Sequence, residues 1–93
     1  MIVGVMTADL AIYDARTLKD KRQVILSAKE RIKNKFNVSV SEVGYGDSPK
    51  RCKMGFAIVG NSARGLQSVL DQIVDALRKS AGLSLLEYEC ETF

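Results

Sequence analysis

Apolar and polar side chains alternate in four segments of this chain, with the two-residue period of a β-strand. The first segment is apolar on both faces near its start, which indicates a central strand of a sheet. Between the second and third segments, residues 44–49 contain two Gly, an Asp and the single Pro, and are predicted to form a loop or a broad hairpin turn. The four predicted strands are residues 2–12, 37–45, 51–59 and 83–92.

Two further segments place apolar residues at the spacing of an amphipathic helix. Thr17 is the predicted N-cap of the first, with Asp20 at N3 in an approximate capping box. The second follows a turn and cap at residues 60–62, and Lys79 and Gly82 are its stop signals. The apolar stripe of the first helix is Leu18, Val24, Ile25, Ala28, Ile32 and Phe36, and that of the second is Leu66, Val69, Leu70, Ile73, Val74 and Leu77.

The predicted element order is β-α-β-β-α-β, which two right-handed crossovers fold into one ferredoxin-like α+β domain over residues 1–93. Both helices then cover one face of a four-stranded antiparallel sheet with strand order 4-1-3-2. Cys52, Met54, Phe56 and Ile58 share the core side of the third strand. On the fourth strand, Leu86, Tyr88 and Cys90 are predicted to face the core, opposite Glu87, Glu89 and Glu91.

The second face of this sheet, here called the open sheet face, has no helix to cover it. Its predicted centre is apolar and consists of Val3, Val5, Thr7, Ala57 and Val59. An uncovered apolar surface of this size is typical of an interface. Self-association to a homodimer is one interpretation, and a small apolar surface left in water is the other.

The composition is that of an ordinary globular domain, with 46% apolar and 27% charged residues. No apolar run reaches the ~18 residues needed to cross a bilayer. The start, MIVGVMTADL, lacks the basic region of a signal peptide and contains Asp9. We therefore expect a cytoplasmic protein without membrane association.

Positive charge is concentrated in the first helix. Residues 17–36 carry seven Lys or Arg and two Asp or Glu, whereas the whole chain has a net charge of +3. One side of this helix, here called the basic stripe, consists of Lys19, Arg22, Leu26, Lys29 and Lys33. Four cations in one stripe can follow a phosphate backbone. A solvated helix face without a ligand is the alternative interpretation.

The predicted phosphate contacts extend beyond the basic stripe. Free N–H groups at the helix N-terminus, beside Arg16, Thr17 and Lys19, are predicted to form a phosphate-binding site. Arg51 and Lys53 on the third strand are predicted extensions. The predicted nucleic-acid-binding residues are therefore Arg16, Lys19, Arg22, Lys29, Lys33, Arg51 and Lys53. Contacts of this kind supply affinity but do not select a sequence.

Base stacking on the sheet is not expected. The segment KMGFAIVG (53–60) superficially matches a strand of the RNA-recognition motif, which displays aromatic rings on its open face. Here Phe56 has core parity, and the open-face residues Gly55, Ala57 and Val59 have no ring to stack.

The residue types argue against an enzyme. The chain has no His, which removes the commonest general base, and it lacks a Gly-rich phosphate loop. Acylphosphatases share the predicted fold, but residues 13–18 lack the glycines needed to wrap a phosphate. We expect no catalytic residues and no cofactor.

The two cysteines, Cys52 and Cys90, are predicted to be free, buried thiols. They lie on strands three and four, and strand one separates them by about 9–10 Å, beyond disulfide reach. Two thiols without a His do not form an ordinary zinc site, so no metal is expected.

Three segments together with the MIVGV start resemble the YlxP-like family of small bacterial proteins: residues 16–22 (RTLKDKR), 36–43 (FNVSVSEV) and 59–61 (VGN). The match covers nearly the whole chain. The family pattern Ser-Leu-Lys-Glu-Lys-Arg is changed at Thr17 and Asp20, which preserves the cap chemistry. The resemblance implies a ferredoxin-like fold, a gene neighbourhood of transcription and translation factors, and a role near RNA or the ribosome. It brings no catalytic residues.

These observations favour a non-enzymatic module that binds structured RNA or a ribosomal particle through the basic stripe. The alternative is a homodimeric protein-interaction module that uses the open sheet face. Cations scattered around an occluded sheet would favour the second function, and an exposed cationic surface would favour the first.

Overall fold

Six elements follow one another in a computed structural model that describes residues 1–93. The four strands form one antiparallel sheet in the order β2-β3-β1-β4, which is the predicted 4-1-3-2 order read from the other edge. The ferredoxin-like α+β fold is therefore confirmed. Neither helix has the length and apolar character to cross a membrane. The elements are β1 (Ile2–Ala11), α1 (Leu18–Lys35), β2 (Ser39–Gly44), β3 (Arg51–Gly60), α2 (Ala63–Arg78) and β4 (Ser84–Thr92).

Local hydrogen bonds start both helices at the predicted caps. The hydroxyl of Thr17 accepts a hydrogen bond from the Asp20 N–H at 3.1 Å, and the Asp20 carboxylate accepts one from the Thr17 N–H at 3.2 Å. This is a complete capping box. At the start of α2, the Ser62 hydroxyl accepts a hydrogen bond from the Gly65 N–H at 3.2 Å. The chain leaves α2 through Gly82, whose φ of 82° suits glycine.

The core lies between the sheet and the helix layer. It contains 20 buried apolar residues, drawn mainly from the predicted faces of β1, β3 and α2. Both cysteines are free thiols, as predicted, but only Cys52 is buried, and the predicted burial of Cys90 is wrong because its strand, β4, is a half-exposed edge strand. The separation of the two cysteines follows from the strand order, because β1 lies between β3 and β4.

The predicted inward face of β4 is wrong at Leu86. Asp9 of β1 pairs with Glu87, but the next residue, Leu10, pairs with Leu85, so Leu86 is the extra residue of a β-bulge. Leu85 packs at the edge of the core, while Leu86 is exposed. Alternation alone could not reveal this, because a bulge exchanges the two faces without any change in composition.

Candidate nucleic-acid interface

The basic stripe lies on the solvent side of α1. Lys19, Arg22 and Lys33 are exposed, and Lys29 is half-buried. Leu26, in the middle of the stripe, is 55% exposed. The protein contains two ion pairs, Lys21 with Glu42 and Lys53 with Asp9, and neither involves the stripe. The four cations of the stripe therefore have no acidic partner within the protein.

Two other cations of α1, Arg31 and Lys35, lie on its opposite flank. Lys33 of the basic stripe borders a shallow groove with residues of β2 and β3. Arg31 and Lys35 instead border the groove between the two helices, together with Lys79 at the end of α2. The positive charge of α1 is thus divided between a flank toward β2 and a flank toward α2, a division that sequence counting did not predict.

The helix N-terminus already holds an acid. The Asp20 carboxylate accepts hydrogen bonds from the N–H groups of Arg16 at 3.0 Å and Thr17 at 3.2 Å. The hydrogen bond from Arg16 contributes most to holding the pKa of Asp20 below its usual value. The predicted phosphate-binding site at these two N–H groups is therefore filled by the chain's own carboxylate. Arg16 remains exposed and available through its side chain.

Lys21 is one of the seven cations counted in the predicted positive charge of the first helix. In the structure its side chain is only 1% exposed, so it does not contribute to a basic surface. Its Nζ donates hydrogen bonds to the carbonyl oxygens of Tyr45 at 2.9 Å, Arg51 at 3.2 Å and Gly46 at 3.4 Å. The same atom lies 2.9 Å from the Glu42 carboxylate. Lys21 thus holds α1 against the β2–β3 loop and is not available to a ligand.

The spacing of Lys21 from the apolar residues of α1 indicates in the sequence that this lysine is buried. Lys21 precedes Ile25, Ala28 and Ile32 by four, seven and eleven residues, which places it at the centre of the apolar stripe of α1. A lysine at such a position must find oxygen partners or lie outside the core. The sequence did not show which partners were available, because they come from residues 42–51.

The β2–β3 loop brings together two residues that sequence reasoning had treated separately. Tyr45 has a φ of 62°, the only positive value outside glycine, and is 45% exposed. The guanidinium carbon of Arg51 lies 4.7 Å from the centre of the Tyr45 ring. The Nε of Arg51 is buried without a hydrogen-bond partner. Arg51 therefore belongs to this loop cluster.

Lys53 does not join the basic stripe. It lies on the open sheet face, opposite Asp9 in the strand register, and its Nζ is 3.7 Å from the Asp9 carboxylate. Since the stripe is on the helix layer, an RNA bound to the stripe would have to pass around the edge of the sheet to contact Lys53.

The open sheet face contains the five predicted residues. Val3 pairs with Val59, Val5 with Ala57, and Thr7 with Gly55 across β1 and β3. Val59 is 59% exposed. Phe93 extends this surface, because its backbone pairs with Val3 at 2.7 and 2.9 Å.

An acidic row borders the apolar centre of the open sheet face. Glu91 and Glu89 lie beside Val5 and Thr7 in the register of β4 with β1, and all three glutamates of β4 are exposed. Polyanions are therefore disfavoured along the β4 edge of the open sheet face.

Comparison with solved structures supports the fold. Two de novo designed proteins, Foldit4 and Ferredog-Diesel, match with TM-scores of 0.56 and 0.51. Their identities are 14% and 12%, over 100% and 96% of this chain and 97% and 83% of the designs. At such identities the likeness concerns the fold alone.

Sequence comparison gives the family. The "Uncharacterized protein YlxP" of Bacillus subtilis (strain 168) is 38% identical over 73 residues, which are 78% of this chain and 79% of that protein. The model of the family described as "Protein of unknown function (DUF503)" matches residues 3–90. The chain therefore belongs to the DUF503, or YlxP-like, family.

Proposed function

We propose that this protein is a non-enzymatic module that binds structured RNA through the basic stripe of α1. One observation carries the proposal: Lys19, Arg22, Lys29 and Lys33 lie on the same flank without an acidic partner in the protein. Each cation that meets a phosphate releases a condensed counterion, so an unpaired row gains more from a polyanion than ion-paired residues do.

The ligand in this proposal is RNA within a ribosomal particle, and the protein acts in the cytoplasm. The family resemblance, which implies a role near the ribosome, supports this choice. The contacts are made to phosphates, with Arg16 continuing the stripe at the start of α1 and Arg51 contributing from the first residue of β3. Such a surface recognises the shape and charge of RNA and leaves sequence selection to other contacts.

The proposal predicts that replacing Arg22, Lys29 and Lys33 by Glu abolishes RNA binding. Each substitution changes the charge by two units at a position outside the buried core, so the fold should persist. Filter binding to a structured ribosomal RNA fragment measures affinity, and circular dichroism measures folding.

The matched control replaces Arg31, Lys35 and Lys79 by Glu, which reverses three charges beside the groove on the other flank of α1. It changes the net charge by the same amount and should retain most of the affinity. Undiminished binding by the folded Arg22, Lys29 and Lys33 variant would refute the proposal. Equal losses in both triple variants would show a net-charge effect and no specific stripe.

A second candidate function is a homodimer formed through the open sheet face. The exposure of Val59 and Phe93 beside Val3 favours it, because no element of the chain covers these side chains. An interface of ~600–800 Å² per partner is within the range of specific dimers. If the β4 strands of two copies faced each other, their glutamates would repel. The strands β1 and β3 would therefore lie at the centre of the dimer interface.

Val5→Lys should make such a dimer monomeric without unfolding it. Val5 is half-buried on the open sheet face and pairs with Ala57 and Glu91 there, so the change adds a charge at the interface and not in the core. Sedimentation equilibrium measures the outcome. A wild-type monomer at high micromolar concentration would exclude the dimer.

A further inference from the structure

We propose that Tyr45 and Arg51 form a stacking platform for an unpaired base of single-stranded RNA, here called the Tyr45–Arg51 platform. The inference rests on the proposed function and deepens it: the basic stripe binds phosphates, and the platform binds a base of the same RNA. Tyr45 is 45% exposed, and the Arg51 guanidinium lies 4.7 Å from the centre of its ring. Aromatic rings and arginine planes are the surfaces on which proteins stack splayed RNA bases.

A single buried ammonium group holds both members of the platform. Lys21 Nζ donates to the carbonyl oxygen of Tyr45 at 2.9 Å and to that of Arg51 at 3.2 Å. The Ser48 N–H also donates to the Tyr45 carbonyl, at 3.1 Å, which closes the turn. Because the loop is already ordered, a ligand that stacks on it loses less conformational entropy than one that must order a mobile loop.

The backbone of Tyr45 is strained in a way that packing does not explain. A φ of 62° is uncommon for a bulky aromatic residue, and the neighbours in sequence, Gly44 and Gly46, would adopt it without steric cost. The strain leaves an aromatic ring in contact with solvent and does not bury it in the core. Strain of this kind is maintained where the surrounding structure over-determines it, and it concentrates at binding sites.

The charge around the platform suits a nucleotide. The guanidinium of Arg51 places a positive charge 4.7 Å from the centre of the Tyr45 ring. Lys21 also ties the loop to the N-terminal half of α1, where Lys19 and Arg22 are exposed. The side chain of Arg51 shares the parity of Lys53 along β3 and therefore lies toward the open sheet face, so an RNA strand whose base stacks on Tyr45 reaches the basic stripe around the sheet edge at β2.

The experiment compares a fluorescently labelled single-stranded oligouridylate with a duplex RNA of the same length, by fluorescence anisotropy. Tyr45→Asn removes the ring, while Asn tolerates a positive φ. We expect about a tenfold loss of oligouridylate affinity, within the range found for single stacked bases. Duplex affinity should be unchanged, and the melting temperature should not fall. Tyr45→Phe should bind the oligouridylate like wild type.

The matched control is Tyr88→Thr, since Tyr88 is exposed and lies 5.9 Å from the guanidinium of Arg78 but has no buried lysine behind it. It should leave the affinity for both RNAs unchanged. Wild-type oligouridylate affinity in Tyr45→Asn, or an equal loss in Tyr88→Thr, would overturn the platform.

The variant carrying Glu at positions 22, 29 and 33 separates this inference from the proposed function. If that variant loses duplex binding while Tyr45→Asn binds both RNAs normally, the platform is wrong and the phosphate-binding function stands. If Tyr45→Asn alone loses oligouridylate binding, the platform stands and the basic stripe is wrong as the phosphate site. Absence of wild-type binding to either RNA overturns both.

Discussion

At the scale of single residues, Lys21 shows how a charged side chain can belong to the core. Moving an ammonium group out of water costs several kcal/mol unless it is paired and hydrogen-bonded. Here three carbonyl oxygens and the Glu42 carboxylate surround the Nζ at 2.9–3.4 Å. Those oxygens come from β2, the β2–β3 loop and the start of β3. The cost of burial is thus offset by contacts that fix the loop on α1.

Lys21→Met should therefore destabilise the protein by about 2–3 kcal/mol. Removing one partner of a fully buried pair costs about 3–5 kcal/mol, but the Glu42 side chain is 30% exposed and keeps part of its hydration. Urea denaturation gives the change in the free energy of unfolding. The double variant Lys21→Met, Glu42→Gln should recover part of the loss, since no unpaired charge remains. A single variant as stable as wild type would show that the contacts with Lys21 contribute nothing net.

Cys52 provides a prediction about pH. Burial foremost, and then the nearby Glu42 carboxylate, raises the pKa of the Cys52 thiol from 9.0 to about 12. Between these values the unfolded chain releases the thiol proton and the folded protein keeps it. The resulting stability is complete below pH 9.0 and falls above it, by up to about 1.4 kcal/mol per pH unit, until the folded thiol ionises.

The measurement is the pH dependence of urea denaturation in wild type and in Cys52→Ala. Above pH 9.0, the free energy of unfolding of the variant should fall less steeply with pH than that of wild type, because the variant lacks this thiol. This difference in slope is expected whether or not the variant is less stable overall. Identical slopes in the two proteins would contradict the raised pKa. The native Cys52 thiol should also react with disulfide reagents far more slowly than the half-buried Cys90.

At the scale of elements, α1 has three distinct surfaces. Its inner face packs on the sheet through Ile25, Ala28 and Ile32, with Lys21 on the same line. The basic stripe occupies the flank toward β2, and Arg31 and Lys35 occupy the flank toward α2. A helix with charge on both flanks can bind a polyanion along one of them only, because a straight backbone follows a single row of side chains.

The salt dependence of binding tests this geometry. If the four cations of the basic stripe each meet one phosphate, the logarithm of the association constant should fall with the logarithm of salt concentration at a slope of about −3 to −3.5, using roughly 0.7–0.9 per contact. A slope of about −5 or steeper would mean that cations outside the stripe, such as Arg16 and Arg51, also meet phosphates. A slope near zero would mean that any binding is not made through this surface.

At the scale of the whole molecule, the two layers carry different chemistry. The helix layer presents the unpaired cations of α1, whereas the open sheet face presents an apolar centre bordered by the glutamates of β4. The two proposed functions use different surfaces, which meet where Lys33 borders a groove with Val3, Ala57 and Val59. A dimer joined through the two open sheet faces would expose one basic stripe on each outer surface.

The sequence by itself determined the element order, the helix caps and the strand order. Each depends on short-range information: the period of apolar residues, the Thr17 and Ser62 cap chemistry, and the right-handed crossover rule. The exposure of the basic stripe and the composition of the open sheet face followed from the same periods, since a period assigns every residue to a face.

Only the tertiary structure decided the features that depend on contacts between elements. The bulge at Leu86 depends on how β4 pairs with β1, and the burial of Lys21 depends on carbonyl oxygens that the β2–β3 loop brings to it. The contact between the Tyr45 ring and the Arg51 guanidinium, too, forms only after the β2–β3 loop has folded against α1. In each case the partner lies outside the periodic pattern, so charge and period in the sequence could not specify it.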